Sequence, residues 1–197
     1  MENQQIPGAE ILLQAGFYPE AQADQILNQL SDEIDWEQRM VTVHGRTYPQ
    51  PRLVAWHGTG AYTYSGLRLE PKPMTLLLAA MQQDVEQALG CRFNSVLLNR
   101  YVAGRNHGIG FHADNEPELG RNPRIAMLTF GEGRALEFKP KKWLADKEPA
   151  AVPTSVPTEH GSLLVMQGRT QAGWLHGITK KIGKADRITL TFRSIEG

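Results

Sequence analysis

The sequence predicts an α+β domain that is mainly β. Its 197 residues suit a single domain, 1–197. Two segments in the first half, 19–36 and 73–90, repeat apolar residues at helical spacing. From residue 93 onward, short apolar segments alternate with turns that contain Gly or Pro. Helices followed by many short strands indicate a β-sandwich or barrel core with the N-terminal helices packed outside. The candidate strands are 93–102, 109–112, 124–130, 134–139, 161–166, 172–176 and 187–194.

Both predicted helices have recognisable boundaries. Pro19 suits the first turn of the first helix, and the second helix has Pro73 at its start and Gly90 at its end. The second helix should bury one apolar stripe against the core. The predicted members of that stripe are Leu76, Leu77, Ala80, Met81, Val85 and Leu89.

The sequence predicts that the segments between these elements are connections. Residues 40–48 contain two short apolar or β-branched runs around a His-Gly pair, which predicts a hairpin. Residues 48–66 are rich in Pro, Gly and aromatic residues and predict surface loops that line a pocket. Residues 140–158 predict a long loop between strands.

Charge is unevenly distributed, although the formal net charge is zero. Residues 1–38, an acidic helical extension, hold eight carboxylates and no Lys or Arg, whereas residues 39–110 hold eight basic residues and three acidic ones. This pattern fits either an ordinary solvated surface or a basic face for a phosphate backbone. Both alternatives stay open on charge alone.

Two further features of the sequence indicate the cellular compartment of the protein. The single cysteine, Cys91, allows no internal disulfide. The chain has no apolar run of about 18 residues and no signal-peptide pattern at its start. We therefore expect a cytoplasmic protein without a membrane span.

A candidate metal site begins with His112 and Asp114. On a strand, residues i and i+2 point to the same side, so both side chains can reach one ion, although the pair alone is a weak motif. His176, at the end of a strand-like segment, is the best candidate for a third ligand. Two His and one carboxylate on one face of the metal are typical of non-haem Fe(II) oxygenases. The competing histidines are His44, His57, His107 and His160.

The last predicted strand supports this interpretation. Its alternation places Arg187, Thr189, Thr191 and Arg193 on one side and apolar residues on the other. Two arginines in line are costly to bury without anions, and guanidinium groups match carboxylates well. A dicarboxylate beside the metal explains both arginines, while the alternative is an exposed edge strand.

Taken together, these motifs resemble the AlkB-type Fe(II)/2-oxoglutarate dioxygenases, in the branch that removes alkyl groups from nucleic-acid bases. The similarity covers about residues 40–194. The motifs are Asn99-Arg-Tyr101, His112-Ala-Asp114-Asn-Glu116, Ile125-Ala-Met-Leu-Thr-Phe-Gly131, His160-Gly-Ser-Leu-Leu, Trp174-Leu-His176 and Arg187-Ile-Thr-Leu-Thr-Phe-Arg193.

The resemblance implies a double-stranded β-helix, or jelly roll, over 93–194, preceded by nucleotide-recognition loops over 39–70. It implies Fe(II) on His112, Asp114 and His176, with 2-oxoglutarate and O₂ as cosubstrates. The residues implied to hold 2-oxoglutarate are Asn99, Tyr101, Arg187, Thr189 and Arg193. Thr189 departs from the Asn that usually stands there.

The resemblance also implies a nucleic-acid substrate, and we expect a monomer. The residues implied to contact it are Val43 and His44 in a probing hairpin, Arg52, Tyr62, Tyr64 and Ser65 in a lesion pocket, and Glu116 at the damaged base. His44 stands where an aromatic residue can occur and Asn115 where Asp is frequent, so substrate choice is open. The expected reaction is oxidative demethylation of bases such as 1-methyladenine and 3-methylcytosine in DNA and possibly RNA. The alternatives are an oxygenase for a protein or lipid substrate, a Zn²⁺ hydrolase, and a non-catalytic jelly-roll binding module.

Overall fold

A computed structural model of the chain describes residues 1–43, 45–60, 62–64 and 67–196. The helices are α1 Glu20–Glu33, α2 Leu76–Leu89, α3 Lys142–Lys147 and α4 Thr170–Gly173, with a 3₁₀ turn at Pro117–Leu119. The first strands are β1 Glu2–Asn3, β2 Glu10–Gln14, β3 Met40–Val43, β4 Arg46–Pro49, β5 Leu53–Gly58, β6 Tyr62–Tyr64 and β7 Leu67–Leu69. The later strands are β8 Ser95–Tyr101, β9 Asn106–His112, β10 Ile125–Gly131, β11 Arg134–Pro140, β12 Thr154–Thr158, β13 Ser162–Gln167, β14 Trp174–Ile182 and β15 Arg187–Arg193.

Two antiparallel sheets form the jelly roll, which confirms the predicted fold class. The larger sheet has the order β1-β2-β13-β10-β15-β8-β5, and the smaller one has the order β12-β11-β14-β9. An apolar cluster that includes Met127 from the larger sheet and Leu136 and Ile178 from the smaller one lies between them. This arrangement leaves polar positions of both inner faces free to form a site at one end of the sandwich.

Strand β15 is central in the larger sheet, because β10 pairs with one side of it and β8 with the other. The alternative of an exposed edge strand is therefore wrong. Ile188, Leu190 and Phe192 pack in the cluster beneath the helices. Arg187 and Arg193, on the opposite face, are only 0% and 2% exposed. The predicted alternation along this strand is confirmed.

Helices α1 and α2 cover the outer face of the larger sheet. Thr75 caps α2 by accepting a hydrogen bond from the Leu78 amide at 3.2 Å, and Gly90 ends it with a φ of +61°. The helix starts after Thr75 instead of at Pro73, and its buried apolar residues are Leu78, Met81 and Val85. The predicted stripe was wrong at Leu76 and Ala80, which are exposed.

Several connections contain regular structure that the sequence did not indicate. Residues 53–58 form a strand paired with β8, not a surface loop, and residues 54–56 are buried. The expected loop 140–158 contains α3 and β12, and residues 10–14 of the acidic extension join the larger sheet. Strands buried on both faces lack the alternation that reveals a half-exposed strand. The hairpin of β3 and β4 is confirmed.

Over the described ranges, no helix is both long enough and apolar enough to cross a bilayer.

Candidate metal and cosubstrate site

Pairing of β9 with β14 brings two histidines together. His112 and His176 are direct cross-strand partners, and their ring centroids lie 4.4 Å apart. Asp114 follows β9 by two residues, and one ligand atom from each of the three residues lies within 4.8 Å of the others. Residues distant in sequence thus form the predicted group of two imidazoles and one carboxylate.

Each imidazole can offer one ring nitrogen to the site. His112 Nδ1 lies 2.9 Å from the Gly110 carbonyl oxygen, which can only accept, so Nδ1 carries the proton and Nε2 is the ligand nitrogen. Burial, together with the neighbouring His112, lowers the pKa of His176 to about 3. His176 is therefore neutral at pH 7, which is the state that binds a metal.

Asp114 is buried and ionised. Burial alone would raise its pKa, but the charge of the Arg193 guanidinium and its hydrogen bond hold the pKa well below its usual range. Its Oδ2 accepts a hydrogen bond from Arg193 Nη2 at 2.8 Å, and its backbone amide donates to Gln171 Oε1 at 2.9 Å. The anchoring role of Gln171 had not been predicted from the sequence.

The remaining carboxylate oxygen fits a cation. Asp114 Oδ1 is buried, lies 3.6 Å from His112 Nε2, and receives no hydrogen bond within the described ranges. A buried anionic oxygen without a donor is costly unless a cation approaches it. The donor set of two imidazoles and one carboxylate matches Fe(II) with open positions.

The competing histidines have other contacts. His107 Nδ1 accepts from the Val102 amide at 3.1 Å, His160 Nδ1 accepts from the Gly131 amide at 2.8 Å, and His57 Nδ1 lies 2.6 Å from the Pro73 carbonyl oxygen. His44 lies outside the described residues. Among the described histidines, the metal group contains only His112 and His176.

A cavity between the two sheets adjoins the metal ligands. Four of the five residues predicted to hold 2-oxoglutarate line it together with the three ligands; they are Asn99, Tyr101, Thr189 and Arg193. Burial raises the pKa of the Tyr101 hydroxyl, so the hydroxyl stays protonated and can donate to a carboxylate. The apolar part of the wall comes from Leu97, Ile109, Met127, Leu136, Met166 and Ile178.

Arg187 lies behind this cavity and does not line it. Its guanidinium donates to the carbonyl oxygens of Glu132 and Thr158, both at 3.0 Å, and to the Thr158 hydroxyl at 2.7 Å. Burial lowers its pKa to about 10, so it remains charged at pH 7. It forms no ion pair with any carboxylate in the part of the chain that the structure describes. Its contact with 2-oxoglutarate stays a prediction.

Two further arginines lie near Tyr101, and sequence reasoning had not placed them there. Arg134 stands 5.5 Å from the Tyr101 ring centroid and donates to the carbonyl oxygens of His107 and Thr179. Arg52 is 5% exposed, and its Nε donates to Asn99 Oδ1 at 2.7 Å. Arg52 is thus buried beside Asn99, and its predicted contact with nucleic acid stays a prediction.

The other residues predicted to contact nucleic acid are only partly described. Glu116 begins the 3₁₀ turn two residues after Asp114, and its Oε2 is buried without a hydrogen-bond donor in the described ranges. His44, Ser65 and the side chains of Val43, Tyr62 and Tyr64 lie outside the described part of the chain. Their predicted contacts stay predictions.

Comparison with known proteins agrees with this geometry. The family model described as the 2OG-Fe(II) oxygenase superfamily matches residues 10–193. Alpha-ketoglutarate-dependent dioxygenase alkB homolog 3 of Rattus norvegicus is 38% identical over 95% of this chain, and this chain spans 64% of that relative's length. DNA oxidative demethylase ALKBH2 of Homo sapiens is 37% identical over 91% of this chain and 71% of its own length. The solved structure of OsALKBH1 shares the fold, with a TM-score of 0.62 and 16% identity over 95% of this chain and 98% of that chain.

The family match and the site geometry lead to the same assignment. The expected Fe(II), 2-oxoglutarate and O₂ are confirmed by the match over 10–193 and by the triad of His112, Asp114 and His176. The chain belongs to the 2OG-Fe(II) oxygenase superfamily and is of the AlkB type.

Proposed function

We propose that the chain is a dioxygenase that removes alkyl groups from nucleic-acid bases such as 1-methyladenine and 3-methylcytosine. Oxidation of the N-alkyl carbon converts 2-oxoglutarate and O₂ to succinate and CO₂ and releases the alkyl group as an aldehyde. The observation that carries the proposal is the triad beside a cavity that Arg193 lines, in a chain 38% identical to alkB homolog 3 of Rattus norvegicus. A monomeric state and a cytoplasmic location belong to the same proposal.

The protein's part in this reaction is to hold and orient the reactants. His112, Asp114 and His176 would hold the iron, which supplies the oxidising chemistry when it is bound. Asn99, Tyr101 and Arg193 would orient 2-oxoglutarate from the cavity wall. The buried charge of Arg187 lies behind that wall and favours a dianion in the cavity. Apolar side chains such as Leu136 and Ile178 exclude water from the same space.

Glu116 supports a cationic base as the substrate. N1-methylated adenine and N3-methylated cytosine carry positive charge. Glu116 lies two residues from a metal ligand, and one of its oxygens is buried without a donor among the residues that the structure describes. A carboxylate in this position attracts such a base by its charge, whereas it has no charge attraction for a neutral aliphatic chain. The base must be flipped out or already single-stranded to reach the metal.

The buried position of Arg52 leads to a first prediction. We expect Arg52→Met to raise the KM for 2-oxoglutarate by about tenfold, because a hydrogen bond from a charged group contributes about 1.5–3 kcal/mol. Loss of its bond to Asn99 frees the amide that faces the cosubstrate. The KM for methylated oligonucleotide should stay within about twofold of wild type. An unchanged KM for 2-oxoglutarate with a higher KM for oligonucleotide would instead identify Arg52 as a nucleic-acid contact.

The proposed reaction itself is tested by substrate stimulation of succinate formation. With Fe(II), 2-oxoglutarate and O₂ present, a single-stranded oligonucleotide with one 1-methyladenine should raise succinate formation severalfold and release formaldehyde in equal amount. The unmethylated oligonucleotide is the control and should leave the background rate unchanged. Equal background rates with both oligonucleotides would reject bases as the substrate and favour a protein substrate. A chain without any turnover of 2-oxoglutarate would instead fit a binding module.

A further inference from the structure

A small apolar cluster lies on the larger sheet beside the reaction site. Trp56 of β5 and Leu97 of β8 are direct cross-strand partners, and both are buried. Leu119, at the end of the 3₁₀ turn, is buried in the same cluster, and Ile195 packs against it. Leu97 also lines the cavity beside the metal ligands. The cluster therefore rests on a strand that belongs to the reaction site.

Leu119 ties this cluster to the turn that carries Glu116. The Leu119 amide donates to the Glu116 carbonyl oxygen at 3.0 Å, and the Gly120 amide donates to the Pro117 carbonyl oxygen at 3.1 Å. Gly120 ends the turn with a φ of +67°, a conformation that glycine adopts readily and other residues rarely. Because the turn is this short, the burial of Leu119 limits where the Glu116 carboxylate can lie.

The segment that follows β15, residues 194–196, fastens the same turn from the other side. Asn94 holds this segment through its side-chain amide. Its Nδ2 donates to the Ile195 carbonyl oxygen and its Oδ1 accepts from the Ile195 amide, both at 2.8 Å. The Glu196 amide donates to the Glu118 carbonyl oxygen at 2.7 Å. These three hydrogen bonds fix the segment against the turn.

Ile195 also contacts the connection between β5 and β6. A Cβ atom at Gly60 would lie 3.0 Å from Ile195 Cγ2, which is closer than the about 3.5–4.0 Å at which carbon atoms pack. The Gly60 carbonyl oxygen accepts a hydrogen bond from Trp56 Nε1 at 2.9 Å. Gly60 stands two residues before β6, where the predicted lesion pocket begins. The Ile195 side chain thus lies between that connection and the cluster that anchors the turn of Glu116.

We propose that Ile195 is a positioning residue that fixes the turn of Glu116 relative to the lesion-pocket segment and thereby sets the preference for cationic bases. The inference rests on the proposed function, since it concerns how the carboxylate meets the base. Charge attraction falls as the distance between two groups grows. A turn released from Ile195 would let the Glu116 carboxylate move away from the base, whereas the histidines of the paired strands β9 and β14 would stay in place.

The test compares two single-stranded oligonucleotides that differ in the charge of one base. One carries 3-methylcytosine, which is cationic, and the other carries 3-methylthymine, which is neutral and has its methyl group on the same ring nitrogen. Ile195→Ala should lower kcat/KM by about tenfold for the cationic base and by no more than about twofold for the neutral one, since a misplacement of about 1 Å can cost about 100-fold. The KM for 2-oxoglutarate should match wild type, because Ile195 does not line the cavity.

Three further variants separate positioning from stability. Ile195→Val keeps a branched apolar side chain and should restore most of the preference. Asn94→Ala removes both side-chain bonds to Ile195 and should reduce the preference as Ile195→Ala does, with little further loss when the two are combined. Leu27→Ala is the matched control, since it truncates another partly buried residue, packed against the cluster beneath the helices. It should lower the unfolding temperature and leave the ratio of the two kcat/KM values unchanged.

The outcomes are distinguishable from failure of the proposed function. If wild type turns over both oligonucleotides and Ile195→Ala lowers the two kcat/KM values equally, the positioning role is overturned and the function stands. Equal kcat/KM values for the two bases in wild type would also overturn it, because Ile195 would have no preference to set. Wild-type protein that neither oligonucleotide stimulates would overturn both proposals.

Discussion

His112→Ala should abolish turnover and reduce iron affinity by more than about 100-fold, since even residues that merely support a ligand contribute about 10- to 100-fold. The imidazole of His112 is held towards the metal by its bond to the Gly110 carbonyl, and its Nε2 lies 3.6 Å from Asp114 Oδ1. Without it, only Asp114 and His176 would remain, which is too few protein ligands for a stable site. Iron content after anaerobic loading and gel filtration measures the loss.

The controls for this variant separate ligand loss from misfolding. The His112 side chain is 19% exposed, so the metal-free variant should unfold near the wild-type temperature. His160→Asn is the matched control, because an amide oxygen can replace Nδ1 as acceptor for the Gly131 amide. It should keep full iron content. If His112→Ala retains stoichiometric iron and succinate formation, His112 is not a ligand.

Arg193→Met should destabilise the metal-free protein by about 3–5 kcal/mol, because it leaves the charge of Asp114 buried without its partner. The pair is almost fully enclosed, with 3% of the Arg193 side chain and 1% of the Asp114 side chain exposed. Burial of an unpaired carboxylate raises the free energy of the folded state. The Met side chain replaces the packing of the apolar part of arginine but not its charge. Urea unfolding of metal-free protein at pH 7 measures the difference.

A double variant shows whether the pair itself is responsible. Asp114→Asn removes the carboxylate charge that Arg193→Met would leave buried without a partner. The combined variant should therefore recover at least half of the free energy of unfolding that Arg193→Met loses. Additive losses in the double variant would mean that Arg193 stabilises the fold through other contacts. A loss below about 1 kcal/mol in Arg193→Met would show that water reaches Asp114 and screens it.

Much of the site could be predicted from the sequence because its signals are local. His112 and Asp114 are two residues apart at the end of a strand, and the positions of Arg187 and Arg193 follow from the alternation of side chains in β15. The side of a strand on which such residues lie depends only on backbone geometry. The match of several motifs in order then indicated the cofactors, which none of the motifs indicates alone.

Other features needed the assembled fold. Local sequence could not show that Arg52 faces Asn99, because the strand that follows it is buried on both faces and lacks alternation. Nor could it show that Gln171 holds the Asp114 amide.

The sequence by itself determined which residue types are available for an iron site and on which side of their strands they lie. Only the tertiary structure decided that His176, among the described histidines, stands opposite His112, and that Arg193 pairs with Asp114. The physical reason is that side-chain direction follows from the two-residue repeat of a single strand. Partners across a sheet, by contrast, depend on the register and packing of segments that are distant in the chain.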